Sequence, residues 1–319
     1  MGISARHRVA ACALLTTALL ASASLDRVPQ ASAIAGYPFA TQSWYIATAD
    51  DTTLVTRGCS DGLEVTAGTS PEFGTTILHF GRPYFSGEQG TLLHNGSFAS
   101  VLDIEFLAFS YALGYWGCSA GLGVRQIAVG TSNLGEYVNS GHGADWGAMI
   151  DRLNLLMVVI GQFNVFPSGA IDIEVAWNPA DVTFEWTNAY SAATGWPYLD
   201  FGAADGCPIN GTGGVCAVFG TPWTYTQIQR AQLADDGEAW PEIYLQNANN
   251  ARQWKWLRAS VGNNLQIDGV FTQLLACIQR AQFCAHGVED NNPQQALQQV
   301  QGIIAPPNLP SSSDIGYVD

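Results

Sequence analysis

The sequence predicts an α/β fold, a (β/α)8-type barrel that is irregular on its N-terminal side. Three observations carry this expectation. Short β-rich stretches alternate with longer helical ones, the pattern of parallel βαβ units. The predicted strands carry Asp172, Glu174, Glu242, Tyr244 and Asp268, whereas an open doubly wound sheet buried on both faces calls for apolar strands throughout. A barrel accommodates them, because the C-terminal ends of its strands form its active face. There is also no glycine-rich dinucleotide or Walker loop; Gly211-Thr212-Gly213-Gly214 falls between two cysteines.

The elements follow in order. Arg6 and Arg8 precede an apolar run from Val9 to Leu20, and Ala31-Ser32-Ala33 offers a small-residue cleavage site. Residues 1–33 therefore read as a secretory signal peptide, which makes the protein secreted. The apolar run falls short of the ~20 residues a membrane span needs, so no transmembrane span is expected in the mature chain. Residues 34–305 read as one barrel domain, opening with an irregular lead-in over 34–74. The strands are Thr76 to Pro83, Arg125 to Thr131, Ile171 to Asn178, Tyr198 to Ala203, Pro241 to Gln246 and Leu265 to Phe271. Between them lie helices over 97–115, 144–163, 180–193, 224–234 and 248–260, with a last helix over 293–303. The apolar run from Leu153 to Phe166 reads as a buried helix. Residues 306–319, rich in Pro and Ser, read as a disordered tail.

Composition narrows the function. The chain has 12 Lys and Arg against 27 Asp and Glu, a formal net charge of −15. That surface repels phosphate backbones and excludes nucleic acid as a partner. Of the seven cysteines, Cys12 lies in the signal, and an even number remains for an oxidising compartment. Six cysteines allow fifteen pairings; Cys207–Cys216 and Cys277–Cys284 would close short loops and leave Cys59–Cys118 as the longer staple. Neither close Cys-x-x-Cys pairs nor an Asp-rich calcium loop is present, so no metal and no cofactor is expected.

The chemistry-bearing stretch is Ile171-Asp172-Ile173-Glu174-Val175-Ala176-Trp177-Asn178. On a strand, alternate side chains share a face, which sets Asp172, Glu174 and Asn178 together, opposite Ile171, Ile173, Val175 and Trp177. Two adjacent carboxyls resist ionising together, and one keeps a proton to donate. Glu242, Tyr244 and Gln246 share one face of their strand by the same rule, so Glu242 is the second candidate acid. Trp146, Trp177 and Tyr244 lie near strand ends or in the following loops, where rings stack on sugar faces. His142 with Asp145 is a further candidate, against Asp145 as the N-cap of the next helix.

An Asp-x-Glu strand in a secreted barrel resembles the family 25 type muramidases and the chitinase-like glycoside hydrolases. The resemblance implies Glu174 as proton donor and Asp172 as its partner. Leu265 to Phe271 resembles the last muramidase strand, which brings Asp268 to the cleft. The expected function is then a glycoside hydrolase acting on a polysaccharide or cell-wall glycan. Glu174, Asp172 and Glu242 would be catalytic, and Tyr244, Asp268, Trp177, Asn178, Trp146 and Gln246 would bind substrate. The first predicted strand has no acidic residue where the muramidases carry one. The alternative is therefore a non-catalytic carbohydrate-binding or cell-surface barrel.

Overall fold

The computed structural model describes residues 40–70, 73–211, 214–216, 222–232, 238–263, 265–284, 290–307 and 311–319. The expected signal peptide lies outside the described residues. In chain order the elements are β1 (Ala40–Ile46), α1 (Asp51–Thr66), β2 (Phe73–His79), β3 (Arg82–Phe85), β4 (Gln89–Leu92), β5 (Phe98–Ser100) and α2 (Val101–Ser119). Then come β6 (Val124–Ser132), α3 (Ser140–Val159), β7 (Val165–Asp172), α4 (Ala180–Ala193), β8 (Tyr198–Asp200), β9 (Val215–Cys216), β10 (Trp223–Thr224) and α5 (Tyr225–Gln232). The chain finishes with β11 (Glu238–Ala239), α6 (Asn249–Ser260), β12 (Gly269–Thr272), α7 (Leu274–Gln279), α8 (Pro293–Gln299) and β13 (Ser311–Val318).

Eight of these strands form one sheet in the order β11-β8-β7-β6-β2-β1-β13-β12, and every neighbouring pair is parallel. The two end strands then meet. Asp268 N donates to Ala239 O at 3.1 Å, Phe271 N to Pro241 O at 3.0 Å, and Ile243 N to Phe271 O at 2.9 Å. The result is a nearly closed barrel of eight parallel strands with helices between them, as the sequence predicts. Its seam is stitched by isolated bridges, because Pro241 has no N–H to continue a ladder.

Local chemistry explains the helix ends. Ser100 and Asp103 form a reciprocal capping box at the start of α2. Helix α3 is capped by Asn139, whose side chain accepts from His142 N at 3.0 Å, so Asp145 sits inside the helix and is not its cap. Helices α1 and α2 pack closely: a Cβ on Gly58 would lie 2.0 Å from Tyr111 O, and one on Gly114 2.0 Å from Val55 O. A Cys59–Cys118 disulfide ties this pair, and Cys207–Cys216 and Cys277–Cys284 close two short loops.

Three expectations change. The lead-in holds a full strand and helix, β1 and α1. The supposed tail is not disordered: β13 lies between β1 and β12, with Ser312 and Ser313 fully buried and Ser313 Oγ 2.5 Å from Ser43 Oγ. Leu153 to Phe166 is not one buried helix either. Helix α3 ends at Val159 with Leu155, Val158 and Val159 exposed, and β7 starts at Val165.

Candidate functional site

At the C-terminal ends of the strands the register brings polar and aromatic side chains to the barrel mouth. Tyr45 of β1 pairs with His79 of β2 on one side and Tyr317 of β13 on the other. Strand β7 stops at Asp172, two residues short of the expected Glu174. The cause is local: Ile173 N donates to Asp200 Oδ1 at 3.3 Å instead of entering a ladder, and Gly202 packs directly on the Ile173 backbone. Glu174 therefore sits in the loop beyond the strand. Asn133 holds that loop, accepting from Glu174 N at 3.0 Å and donating to Glu174 O at 3.1 Å.

The loop nonetheless returns Glu174 to Asp172. One carboxyl oxygen each from Asp172, Glu174 and Glu242 lies within 4.8 Å of the others. Asp172 and Glu242 are buried and Glu174 is partly exposed, which makes it the member that meets solvent. The Tyr244 hydroxyl donates to Glu242 Oε1. Asp172 Oδ1 is buried with no hydrogen-bond partner among the described residues. No set of metal-ligating residues was expected here, and three oxygen donors converge.

Burial dominates the electrostatics. It holds the Asp172 carboxyl well above the usual carboxylate range, with Glu174 and Asp200 adding repulsion. Burial, then Asp172 and Glu174, does the same to Glu242. Glu174 is pushed up to about 8 by burial and by Asp205, with the nearby Glu242 side chain pulling the other way. The Tyr45 phenol is raised by burial and then by Glu242 and Asp172. Around the mouth, His79 and His94 rings lie 4.8 Å apart, and both are kept neutral by burial, His94 down to about 4.

Other expected site residues lie elsewhere. Asp268 precedes β12 and so sits at the N-terminal end of the barrel, opposite the trio, bonded by Gln266 Nε2 at 2.8 Å. Trp146 is wholly buried between helix and sheet, donating to Val129 O at 3.0 Å. Asn178 is structural: its amide donates to Asn133 O and Gly135 O, and its carbonyl accepts from Trp223. Trp177 is partly exposed in the same loop, with its N–H bonded to Glu174 O at 3.1 Å. Gln246 is exposed and lines a separate cavity of about 440 Å³ with Asn291, Gln295 and Gln299. His142 is buried, accepting at Nδ1 from Trp186 and bonded through Nε2 to Gly90 O, so it serves the core and no hydrolase triad.

Sequence reasoning missed Tyr45, His79, His94 and Asp200, and it favoured Asp205 as a turn residue. The two aspartates follow the Asp-x-Glu strand within one βα unit, a clustering of acids that marked the region; the others carry no such signal.

No known family's sequence profile matches the chain, and no curated protein does. Among solved structures, the chain is similar to the dihydrodipicolinate synthase of Rhodopseudomonas palustris, at 14% identity. That match covers 85% of this chain and 77% of that one, with a TM-score of 0.40. A likeness of that order says nothing about activity, and it lends the glycosidase expectation no support. The geometry corrects that expectation. Retaining glycosidases hold their two carboxyls ≈ 5–5.5 Å apart and inverting ones ≈ 6.5–9.5 Å, to admit the sugar carbon or a water. Here one carboxyl oxygen of Glu174 lies within 4.8 Å of one of Glu242, short of either spacing.

Among the described residues no helix is long and apolar enough to cross a membrane. With three disulfides, that is compatible with an extracellular setting.

Proposed function

We propose that this is an exported barrel enzyme that transfers protons to and from an uncharged substrate at the Asp172–Glu174–Glu242 trio. One observation supports the reading above others: Glu174, the partly exposed member, brings a carboxyl oxygen within 4.8 Å of those of two buried carboxyls, and burial with Asp205 beside it raises it to about 8. Carboxyls this close resist ionising together, and a group poised near the working pH is the efficient acid–base catalyst. Glu242, oriented by Tyr244, is the partner that holds the proton in reserve. The substrate is neutral because no lysine or arginine among the described residues is paired with the trio, and the acidic surface repels anions. The disulfides and the leader-like N-terminus support export.

Two measurements test this. Infrared spectra at pH 7 of calcium-free protein are expected to show protonated carboxyl absorption that loses one component in Glu174→Gln, the other buried carboxyls keeping theirs. Incubation with uncharged ketones, lactones and esters in D2O is expected to give turnover or deuterium uptake that both Glu174→Gln and Glu242→Gln abolish. Fully ionised carboxyls at pH 7, or exchange that is indifferent to both substitutions, would sink the reading.

A further inference from the structure

We infer that the same three carboxyls, Asp172, Glu174 and Glu242, form a binding site for one oxygen-preferring divalent cation of calcium size. The inference rests on the preceding reading only in taking the trio as the working centre of the barrel; the cation and the held proton are alternative occupants of it, since the carboxyls ionise to bind the metal.

The first ground is geometric. Calcium binds oxygen at 2.3–2.6 Å, so two donors on opposite sides of one ion stand roughly 4.6–5.2 Å apart and adjacent donors stand closer. The three carboxyl oxygens, all within 4.8 Å of one another, fall inside that span without rearrangement. Carboxylate oxygen is also the donor that hard cations select over softer metals.

The second ground is independent of the clustering. Asp172 is 95% buried by its 5% exposure, and its Oδ1 has no hydrogen-bond donor among the described residues. A buried oxygen without a donor is costly, and a native fold keeps one where a ligand completes it. The third ground is charge. The ion pairs among the described residues join Arg57 to Asp61, Arg152 to Glu105 and Arg280 to Asp319, and none reaches the trio. Asp200 and Asp205 add further negative charge nearby and supply no compensation. A dication meets what the protein's own side chains leave unmet.

The chain's residues have distinct parts in such a site. Asp172 is fixed by the end of β7, Glu242 by the barrel seam and Tyr244, and Glu174 by the loop that Asn133 holds. Two ligands are thus set in the barrel wall and one sits on the loop. When bound, the cation would polarise an oxygen of a ligand entering at the mouth.

Terbium, a luminescent stand-in for calcium, tests this on the full mature protein, sensitised by Tyr45 and Tyr244. One terbium per chain is expected, displaced by calcium, with affinity reduced at least tenfold in Asp172→Asn and in Glu242→Gln. Asp268→Asn, at the other end of the barrel, is expected to leave binding unchanged and controls for the acidic surface. A calcium-dependent rise in wild-type melting temperature provides a readout should a variant fail to fold. Terbium emission equal in all four proteins, or no calcium effect on wild-type melting at millimolar concentration, overturns the inference. Either result leaves the infrared test of the proton-transfer reading standing, and a protonated band missing from calcium-free wild type that still binds one terbium would refute that reading alone.

Discussion

The hydroxyl of Tyr244 donates to the carboxyl of Glu242, two residues back along the same stretch and inside the barrel. Period-two spacing puts both on one face, and the burial of Glu242 makes the bond matter, since its carboxyl has little bulk water to fall back on. Replacing Tyr244 by Phe removes the donor and leaves the acceptor in place. The expected cost is about 1–3 kcal/mol in urea denaturation, with a fall in any activity that depends on Glu242.

Stability is expected to fall as pH rises from 6.5 to 8. Burial lifts Asp200 and Asp314 to about 7 and Glu174 to about 8. A carboxyl whose folded pKa is raised contributes its full stability below its unfolded value near 4, and loses it as pH climbs through the folded value. The buried histidines act with opposite sign, His94 and His142 being lowered to about 4, but their contribution is complete once pH exceeds ~6.5. Above that point only the carboxyls act, each at about 1.4 kcal/mol per pH unit while its proton persists. Urea titrations in chelator check the slope, and Asp314→Asn is expected to make it shallower between pH 5 and 7.

His142→Leu is expected to destabilise the fold without touching the mouth chemistry. It would strip the Trp186 indole N–H of its acceptor at 2.8 Å and Gly90 O of its 3.0 Å partner. Two buried polar groups left alone cost about 2–4 kcal/mol, read as a lower melting temperature with a normal infrared carboxyl band. A variant that melts like wild type would overturn this structural role.

The three disulfides are expected to rank by loop length. Cys59–Cys118 spans 59 residues and Cys277–Cys284 spans 7. Chain-entropy arguments give about 4 kcal/mol for the first and about 2.5 for the second. Paired Cys→Ala variants compared by urea denaturation should preserve that order. The reverse order would show that the α1–α2 contact, already close at Gly58 and Gly114, holds without its link.

Much of the barrel was legible because its outer helices and middle strands follow their periods; helix α4 begins and ends where the sequence puts it. The site was half legible. Asp-x-Glu and Glu242 named the right three acids, but the alternation of Ile171 to Asn178 suggested one strand where Asp200 captures Ile173 N and turns the chain. Helix α1 was hidden because its inward positions include Gly58, Asp61 and Gly62, which make no apolar stripe. Strand β13 was hidden because Ser312 and Ser313 are buried inside the wall, Ser313 against the Ser43 hydroxyl, in a composition that otherwise marks solvent-exposed chain. Asp268 was misplaced because an acid next to a strand names no end of it until the strand's limits are known.

The place of Ser311–Val318 in the ring has a consequence for how the molecule comes into being. Until those eight residues arrive, β1 and β12 are bare edges that face a gap, and Tyr45 lacks the neighbour that Tyr317 supplies. A polypeptide made from its N-terminus presents that piece after the rest of the ring. Closure of the ring and of the mouth would then be one late event, and a molecule stalled before it would present two open edges to its neighbours.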